Sequence, residues 1–151
     1  MNSKILFSII LTLSFSSCNT ATFLKDQISV NELLTAKGII DNSQNPAEVL
    51  LLKNDLSEKI LVLENVKVKD ITNSTNVDYD FCVLADIQSE KGPIECFIYT
   101  KNINRISKLK KGQSIISVKG EFKRYFSVLD NYYTKIEITN STITILPDKT
   151  E

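Results

Sequence analysis

The chain has 151 residues, and its 18 basic side chains balance 18 acidic ones. A chain without net charge has no global field that attracts polyanions, so nucleic-acid binding would require a local basic patch. The sequence contains no His and no Trp, which removes the commonest general base and the commonest zinc or copper ligand. Its 4 glycines are scattered and form no phosphate-cradling loop. We therefore expect a non-catalytic protein with no metal and no cofactor.

Residues 1–17 have the pattern of a secretory signal segment. A positive charge at Lys4 precedes a largely apolar run over residues 5–13, and two serines stand directly before Cys18. This run is too short to span a hydrocarbon layer of roughly 30 Å comfortably, which favours export over a membrane helix. The segment resembles the lipobox of bacterial lipoproteins, in which the cysteine becomes the lipidated first residue. Phe15 stands where that pattern usually has Leu.

The lipobox resemblance implies where the protein resides. It implies a signal peptide over 1–17, a lipid on Cys18 that binds the membrane, and a place in the bacterial cell envelope, on its periplasmic or surface face. An ordinary cleaved signal or an uncleaved anchor is the open alternative. Residues 18–28 are then the lipidated cysteine and a polar tether. About 134 residues follow the signal, enough for one domain with a single modest core.

Two helices are predicted at the start of the domain. Ser29 and Glu32 form a capping box, which predicts a helix that ends at Gly38. Asn45 followed by Pro46 predicts the start of a second helix, which extends to Lys53. The leucines at 50–52 leave buried extended chain open as the alternative for this segment.

Alternating apolar residues predict strands in the rest of the domain. The first strand runs from Lys59 to Ile71, and a change of parity predicts a bend near Glu64 and Asn65. Two further runs form a hairpin whose turn centres on Glu90 and Lys91. The remaining elements are a helix over 102–111 that ends at Gly112, a strand over 116–122, an aromatic loop or strand extension over 124–133, and extended chain over 136–145.

This order of elements predicts the fold class. Helices, three strands, one helix and two strands indicate a mainly β, α+β domain over 29–147, with a tail at 148–151. A helix between strands three and four of five is typical of the OB-fold, a partly open five-stranded Greek-key barrel. An all-β sandwich is the competing fold, but it does not require that helix. We therefore predict a five-stranded OB-fold-like barrel.

Residues spread over the same segment match the pattern of a known family. They are Ser29, Glu32, Leu33, Leu34, Val68, Ile71, Cys96, Leu109, Lys110, Lys111, Gly112, Gln113, Val118, Lys119 and Gly120. With them the segment resembles a family of bacterial envelope OB-fold proteins called tRNA-anti-like, named for similarity to anticodon-binding domains. The first strand has Asn65 and Val66 where the family commonly has a glycine. The resemblance implies the fold, whereas a shared fold does not by itself imply a shared ligand.

A stretch rich in cations and aromatic residues, from Lys101 to Lys135, is the strongest ligand-binding candidate. OB-folds bind single strands with cations that follow the phosphates and rings that stack on bases. Helix termini and barrel packing also account for such residues. We expect an unidentified envelope partner here, a protein, peptide or glycan, with single-stranded nucleic acid as the alternative. The candidate residues are Lys110, Lys111, Lys123, Arg124, Tyr125, Phe126, Tyr132 and Tyr133.

Cys82 and Cys96 lie on the two strands of the predicted hairpin. A turn at residues 90 and 91 sets Cys82 opposite Tyr99 and Cys96 opposite Ala85. In this register the two cysteines are several residues apart along the hairpin. Their Cα atoms are then farther apart than the roughly 7 Å that a disulfide tolerates. We expect two small buried hydrophobic side chains. A disulfide made through a bulge remains the alternative.

Overall fold

The computed structural model describes residues 25–89, 92–128 and 133–147. The predicted signal segment, Cys18, the start of the predicted tether, Tyr132 and the predicted tail at 148–151 lie outside the described residues. The elements are β1 (Gln27–Ser29), α1 (Val30–Asn42), α2 (Pro46–Ser57), β2 (Ile60–Asn73), β3 (Phe81–Ser89), β4 (Gly92–Tyr99), α3 (Ile103–Ile106), β5 (Ile115–Val128) and β6 (Tyr133–Ile145).

Strands β2 to β6 form a closed barrel. Their order is β2, β3, β4, β6, β5, and β5 pairs back onto β2. Neighbouring strands are antiparallel except β4 and β6, which run parallel. Five strands in Greek-key order, with α3 between β4 and β5, confirm the predicted OB-fold-like barrel. None of the described helices is both long and apolar enough to cross a membrane.

Barrel closure requires β2 to bend, and the bend lies where the sequence predicts it. Asn65 has φ 54°, and the β2–β5 register shifts between Leu63 and Val66. Asn tolerates this left-handed conformation better than most residues. The bend lets the first half of β2 pair with β5 and β1, while its second half pairs with β3 from Lys67 onward.

Apolar residues at alternate strand positions fill the barrel. Their side chains are buried, and α1 and α2 add further apolar side chains to the same core. The fully or nearly fully buried members include Leu33, Leu61, Leu63, Val68, Val83, Ile94, Ile98, Ile116, Val118, Ile136 and Ile138.

Both N-terminal helices are longer than predicted. The capping box is present, with the Ser29 backbone N–H donating to Glu32 Oε2 at 2.7 Å. However, α1 continues through Gly38 to Asn42, because burying Ile40 in the core outweighs the helix penalty of one glycine of about 1 kcal/mol. Helix α2 likewise extends past Lys53 to Ser57, where Leu56 is buried.

Two other predicted boundaries were wrong. Gln27 and Ile28, assigned to the tether, pair in parallel with Ile60 and Leu61 as part of β1. The helix predicted over 102–111 ends at Ile106. The chain then turns so that the Gly112 N–H donates to the Val68 carbonyl at 2.9 Å. This docking requires φ +69° at Gly112, and a continued helix would prevent it.

Gly120 provides a test of how tightly β5 packs on β6. A Cβ at this position would lie 2.5 Å from Ile138 Cγ2 and 2.9 Å from the Thr139 carbonyl oxygen. We expect Gly120→Ala to lower the free energy of unfolding by about 1–3 kcal/mol, because the core has no room for the methyl group. Denaturant unfolding measures this. Lys119→Ala, at the exposed neighbouring position, is the control and should change the value by less than about 0.5 kcal/mol. Equal stabilities would contradict the close packing.

Candidate ligand-binding face

Side chains that point away from the barrel on β3, β4, β5 and β6 form a continuous surface, which we call the outer face. Because strand side chains alternate, the residues opposite the core positions share this side. The outer face consists of Leu84, Asp86, Glu95, Phe97, Arg124, Phe126, Tyr133, Lys135 and Glu137, together with Lys69 from β2.

The strand register arranges these residues in two rows. In the first row, Asp86 is opposite Glu95, Glu95 is beside Lys135, and Lys135 is opposite Phe126. This row crosses from β3 through β4 and β6 to β5. Directly paired residues on adjacent strands approach within reach of side-chain contact. Opposite charges and one ring are therefore in line across the sheet.

The second row lies beside the first. Leu84 is opposite Phe97, Phe97 is beside Glu137, and Glu137 is opposite Arg124. At the β2 margin, Asp70 is opposite Leu84 and accepts a hydrogen bond from Lys111 Nζ at 2.7 Å. This row therefore places an apolar centre, Leu84 and Phe97, between charged margins.

Glu95 lies at the centre of an ion-pair network. Its Oε1 is 2.9 Å from Lys69 Nζ, and its Oε2 is 3.3 Å from Lys135 Nζ. Lys69 also contacts Asp86 at 3.1 Å. Burial opposes ionisation of Glu95, but hydrogen bonds from the two lysines outweigh burial and lower the pKa of the carboxyl. Hydrogen bonds to Glu95 and Asp86 raise the pKa of Lys69.

Arg124 and Glu137 form a second, bidentate ion pair. Arg124 Nε donates to Glu137 Oε2 at 2.7 Å, and Arg124 Nη2 donates to Oε1 at 3.0 Å. The hydrogen bonds to Glu137 raise the pKa of Arg124. This geometry occupies the guanidinium edge that would otherwise meet a planar or tetrahedral anion.

Each aromatic ring on the outer face lies near a cation. Lys135 Nζ is 5.3 Å from the centre of the Phe97 ring and 6.0 Å from that of Tyr133. The Arg124 guanidinium is 5.8 Å from the Phe126 ring centre. These distances are in the range of cation–π attraction. Positive charge and stacking surface are therefore available side by side.

The structure separates the candidate residues of the sequence analysis into two groups. Arg124, Phe126 and Tyr133 lie on the outer face, and Lys111 lies at its β2 margin. Lys110 is exposed in the same loop, where its backbone N–H donates to Ser114 Oγ. Because α3 ends at Ile106, a helix terminus does not account for Lys110 and Lys111.

Tyr125 and Lys123 point elsewhere. Tyr125 packs against Phe122, with ring centres 6.4 Å apart, and Lys37 of α1 lies 5.5 Å from its ring centre. Among the described residues its buried hydroxyl has no hydrogen-bond partner, and burial raises the pKa of Tyr125 to about 12. Lys123 lies at a β5 bulge and, with Lys53 of α2, lines a cavity of about 290 Å³.

The centre of the outer face was not predicted from the sequence. Phe97, Lys69, Glu95 and Glu137 are not among the candidate residues, and Lys135 is only one of several cations in the stretch that begins at Lys101. The hairpin register would have paired Leu84 with Phe97 and Asp86 with Glu95. The contacts to β6 had no comparable signal, because the β4–β6 pairing is between segments distant in sequence.

The loop between β2 and β3 forms one end of the outer face. The Tyr79 hydroxyl hydrogen-bonds to Asn140 Oδ1 at 2.8 Å and accepts from the Asn140 backbone N–H at 3.0 Å. The Tyr79 ring centre lies 5.4 Å from that of Tyr99, and Lys101 Nζ lies 5.8 Å from the Tyr79 ring centre. These contacts hold the loop against β6.

In the described part of the chain, no three metal-ligating side chains come close enough to hold an ion.

The two hairpin cysteines are free and buried. Their registers are those predicted, with Cys82 opposite Tyr99 and Cys96 opposite Ala85. The disulfide alternative was therefore wrong, because the side chains lie out of register on opposite sides of the hairpin. Burial raises the pKa of Cys82 to about 11 and that of Cys96 to about 12.

Comparison with known proteins adds little to this description. No protein-family model matches the sequence, and no curated protein matches it. The structure is similar to that of the S. cerevisiae mitochondrial single-stranded DNA binding protein Rim1, with 11% identity and a TM-score of 0.38, covering 61% of this chain and 97% of that one. It is also similar to DNA binding domain A of S. cerevisiae replication protein A, with 8% identity and a TM-score of 0.36, covering 62% and 86%.

These similarities are too remote to inform on function. The OB-fold-like assignment depends on the strand order and the closed barrel. Membership of the tRNA-anti-like family has no matching family model to support it.

The burial of the cysteines predicts slow thiol chemistry. In a Cys18→Ser chain, we expect both remaining thiols to react slowly with Ellman's reagent at pH 8, because each is buried and protonated there. Two thiols should react at once after unfolding in guanidinium. Fast reaction of the folded chain, or no reaction of the unfolded one, would contradict this description.

Proposed function

We propose that this protein is a non-catalytic binding module that holds single-stranded nucleic acid on its outer face. The observation that carries the proposal is the alternation of rings and cations across neighbouring strands, with Lys135 beside Phe97 and Tyr133 and Arg124 beside Phe126. In OB-folds the face of the second and third strands, here β3 and β4, is a usual ligand surface.

The spacing of these groups suits an extended chain of nucleotides. Neighbouring strands lie about 4.8 Å apart. Phe97 lies beside Glu137, Phe126 opposite Lys135, and Tyr133 two residues further along β6, so the rings are offset along the strands and an extended chain of bases would cross them diagonally. Each stacked base contributes roughly 1–3 kcal/mol and requires no particular sequence. Lys135 and Arg124 lie beside these rings, and we propose that they contact the phosphates of a stacked strand without regard to its sequence.

A glycan is the second candidate, and one observation favours it. Among the described residues of the outer face, the cations Lys69, Lys135 and Arg124 are all paired with carboxylates. A neutral ligand avoids competing with those pairs. OB-folds also bind oligosaccharides, whose hydroxyls bond to carboxylates and whose apolar faces stack on rings. A peptide or protein partner at this face belongs with this alternative.

We further propose that the protein resides in the bacterial cell envelope, held at a membrane by a lipid on Cys18. With a lipid on Cys18, the six residues between it and Lys25 make seven residue-to-residue steps, which reach at most about 25 Å when extended. The domain would then remain close to the membrane surface. Tethering raises the effective concentration of a partner on that surface, so a modest intrinsic affinity suffices.

Binding to a labelled single-stranded oligonucleotide tests the first proposal. We expect saturable binding by fluorescence polarisation that weakens as salt rises, because phosphate contacts release counterions. Phe97→Ala should weaken it by about 1–3 kcal/mol through loss of stacking. Leu51→Ala, an apolar truncation at an exposed position on α2, is the matched control and should bind as the wild type does.

Two results would redirect the assignment. Absence of binding by the wild-type protein even at low salt would reject nucleic acid as the ligand. Binding of a soluble glycan that is unaffected by salt and lost in Phe97→Ala would support the second candidate.

The lipid anchor has its own test. We expect the full chain, expressed in a bacterium, to fractionate with membranes and to carry an acylated cysteine at its N-terminus by mass spectrometry. Cys18→Ser should move it to the soluble fraction or leave the signal uncleaved, because the sulfur carries the lipid. An unmodified Cys18 in a membrane-free wild-type protein would refute the anchor.

A further inference from the structure

The Glu95 carboxylate occupies the position where an anionic ligand would meet the outer face. Its side chain is only 12% exposed, and each of its oxygens meets a different lysine, Lys69 at 2.9 Å and Lys135 at 3.3 Å. Lys135 is also the cation beside Phe97 and Tyr133. The lysine best placed to contact a phosphate next to a stacked base is thus already bonded to an internal anion.

Glu137 is placed in the same way in the second row. Its side chain is 16% exposed and binds the guanidinium of Arg124 through both oxygens. Arg124 itself is 65% exposed, so its charge can be reached from solvent. A phosphate that binds Arg124 bidentately through this Nε–Nη2 edge competes with Glu137 for the same two N–H groups.

We propose that Glu95 and Glu137 are internal competitors that a phosphate strand must displace from Lys69, Lys135 and Arg124. The inference rests on the proposed nucleic-acid function and deepens it, because it assigns the control of affinity to two carboxylates. The two carboxylates are largely buried, so leaving them without cations carries a desolvation penalty. Binding then requires several phosphates acting together, and the wild-type protein holds single strands weakly.

Glu95 and Glu137 belong to ion pairs that stabilise the outer face, but under this proposal the same carboxylates lower the affinity for the ligand. Glu95→Gln keeps the shape and one acceptor oxygen but removes the charge, which frees Lys135, while Lys69 keeps its ion pair with Asp86. Glu137→Gln frees one arginine. Asp55→Asn is the matched control, because it removes the same charge from an ion pair with Lys59 at the end of α2, away from the outer face.

The experiment is a fluorescence-polarisation titration of the full-length proteins with a labelled single-stranded oligonucleotide. At about 50 mM salt we expect Glu95→Gln to bind about tenfold more tightly than the wild type, because one charge-assisted hydrogen bond contributes about that much to affinity. Between about 50 mM and about 200 mM salt, each glutamate variant should lose about threefold more affinity than the wild type, because each frees one cation and a freed cation steepens the salt dependence. Asp55→Asn should follow the wild type.

The outcomes separate this inference from the proposed function. Wild-type binding that is unchanged in both glutamate variants would overturn the inference and leave the function standing. An equal gain in Asp55→Asn would also overturn it, because net charge alone would then explain the effect. Absence of binding by every protein would reject both. Thermal unfolding checks that the variants are folded, and either glutamate variant alone carries the test if the other is not.

Discussion

Parallel pairing of β4 with β6 is the constraint on which the outer face depends. The two strands are separated in sequence by α3 and β5, and their pairing sets Glu95 beside Lys135 and Phe97 beside Glu137. At a strand spacing of about 4.8 Å, such neighbours contact each other directly. Without this pairing, the buried Glu95 carboxylate would lose one of its two cations. Barrel closure and the chemistry of the face therefore share one topological cause.

Charge balance in the whole chain is repeated on the outer face. Lys69, Lys135 and Arg124 are matched there by carboxylates at short distance. A neutral chain can still present stacking surfaces and cations at one place, because local pairing and net charge are independent quantities. In the proposed competition, Glu95 holds the lysines in position beside the rings. The same ion pairs limit how strongly those lysines attract phosphate.

Local rules predicted much of the fold and only the edge of the site. The capping box at Ser29, the bend at Asn65 and the hairpin register of Cys82 each depend on neighbouring residues, and all three are present. The rule that failed at Gly38 was also local, since it ignored the core contact of the residues beyond it. The helix predicted through Lys111 failed likewise, because docking of Gly112 on β2 ends it early.

By itself the sequence determined which segments form the five barrel strands, that one core forms, and that cations and aromatic residues concentrate after Lys101. Alternation and capping are properties of adjacent residues, so they can be read along the chain. Only the tertiary structure decided that Phe97 and Glu95 form the centre of the face and that Tyr125 turns away from it. The reason is that cross-strand neighbours are selected by barrel closure. Closure joins segments far apart in sequence, where no local pattern records the register.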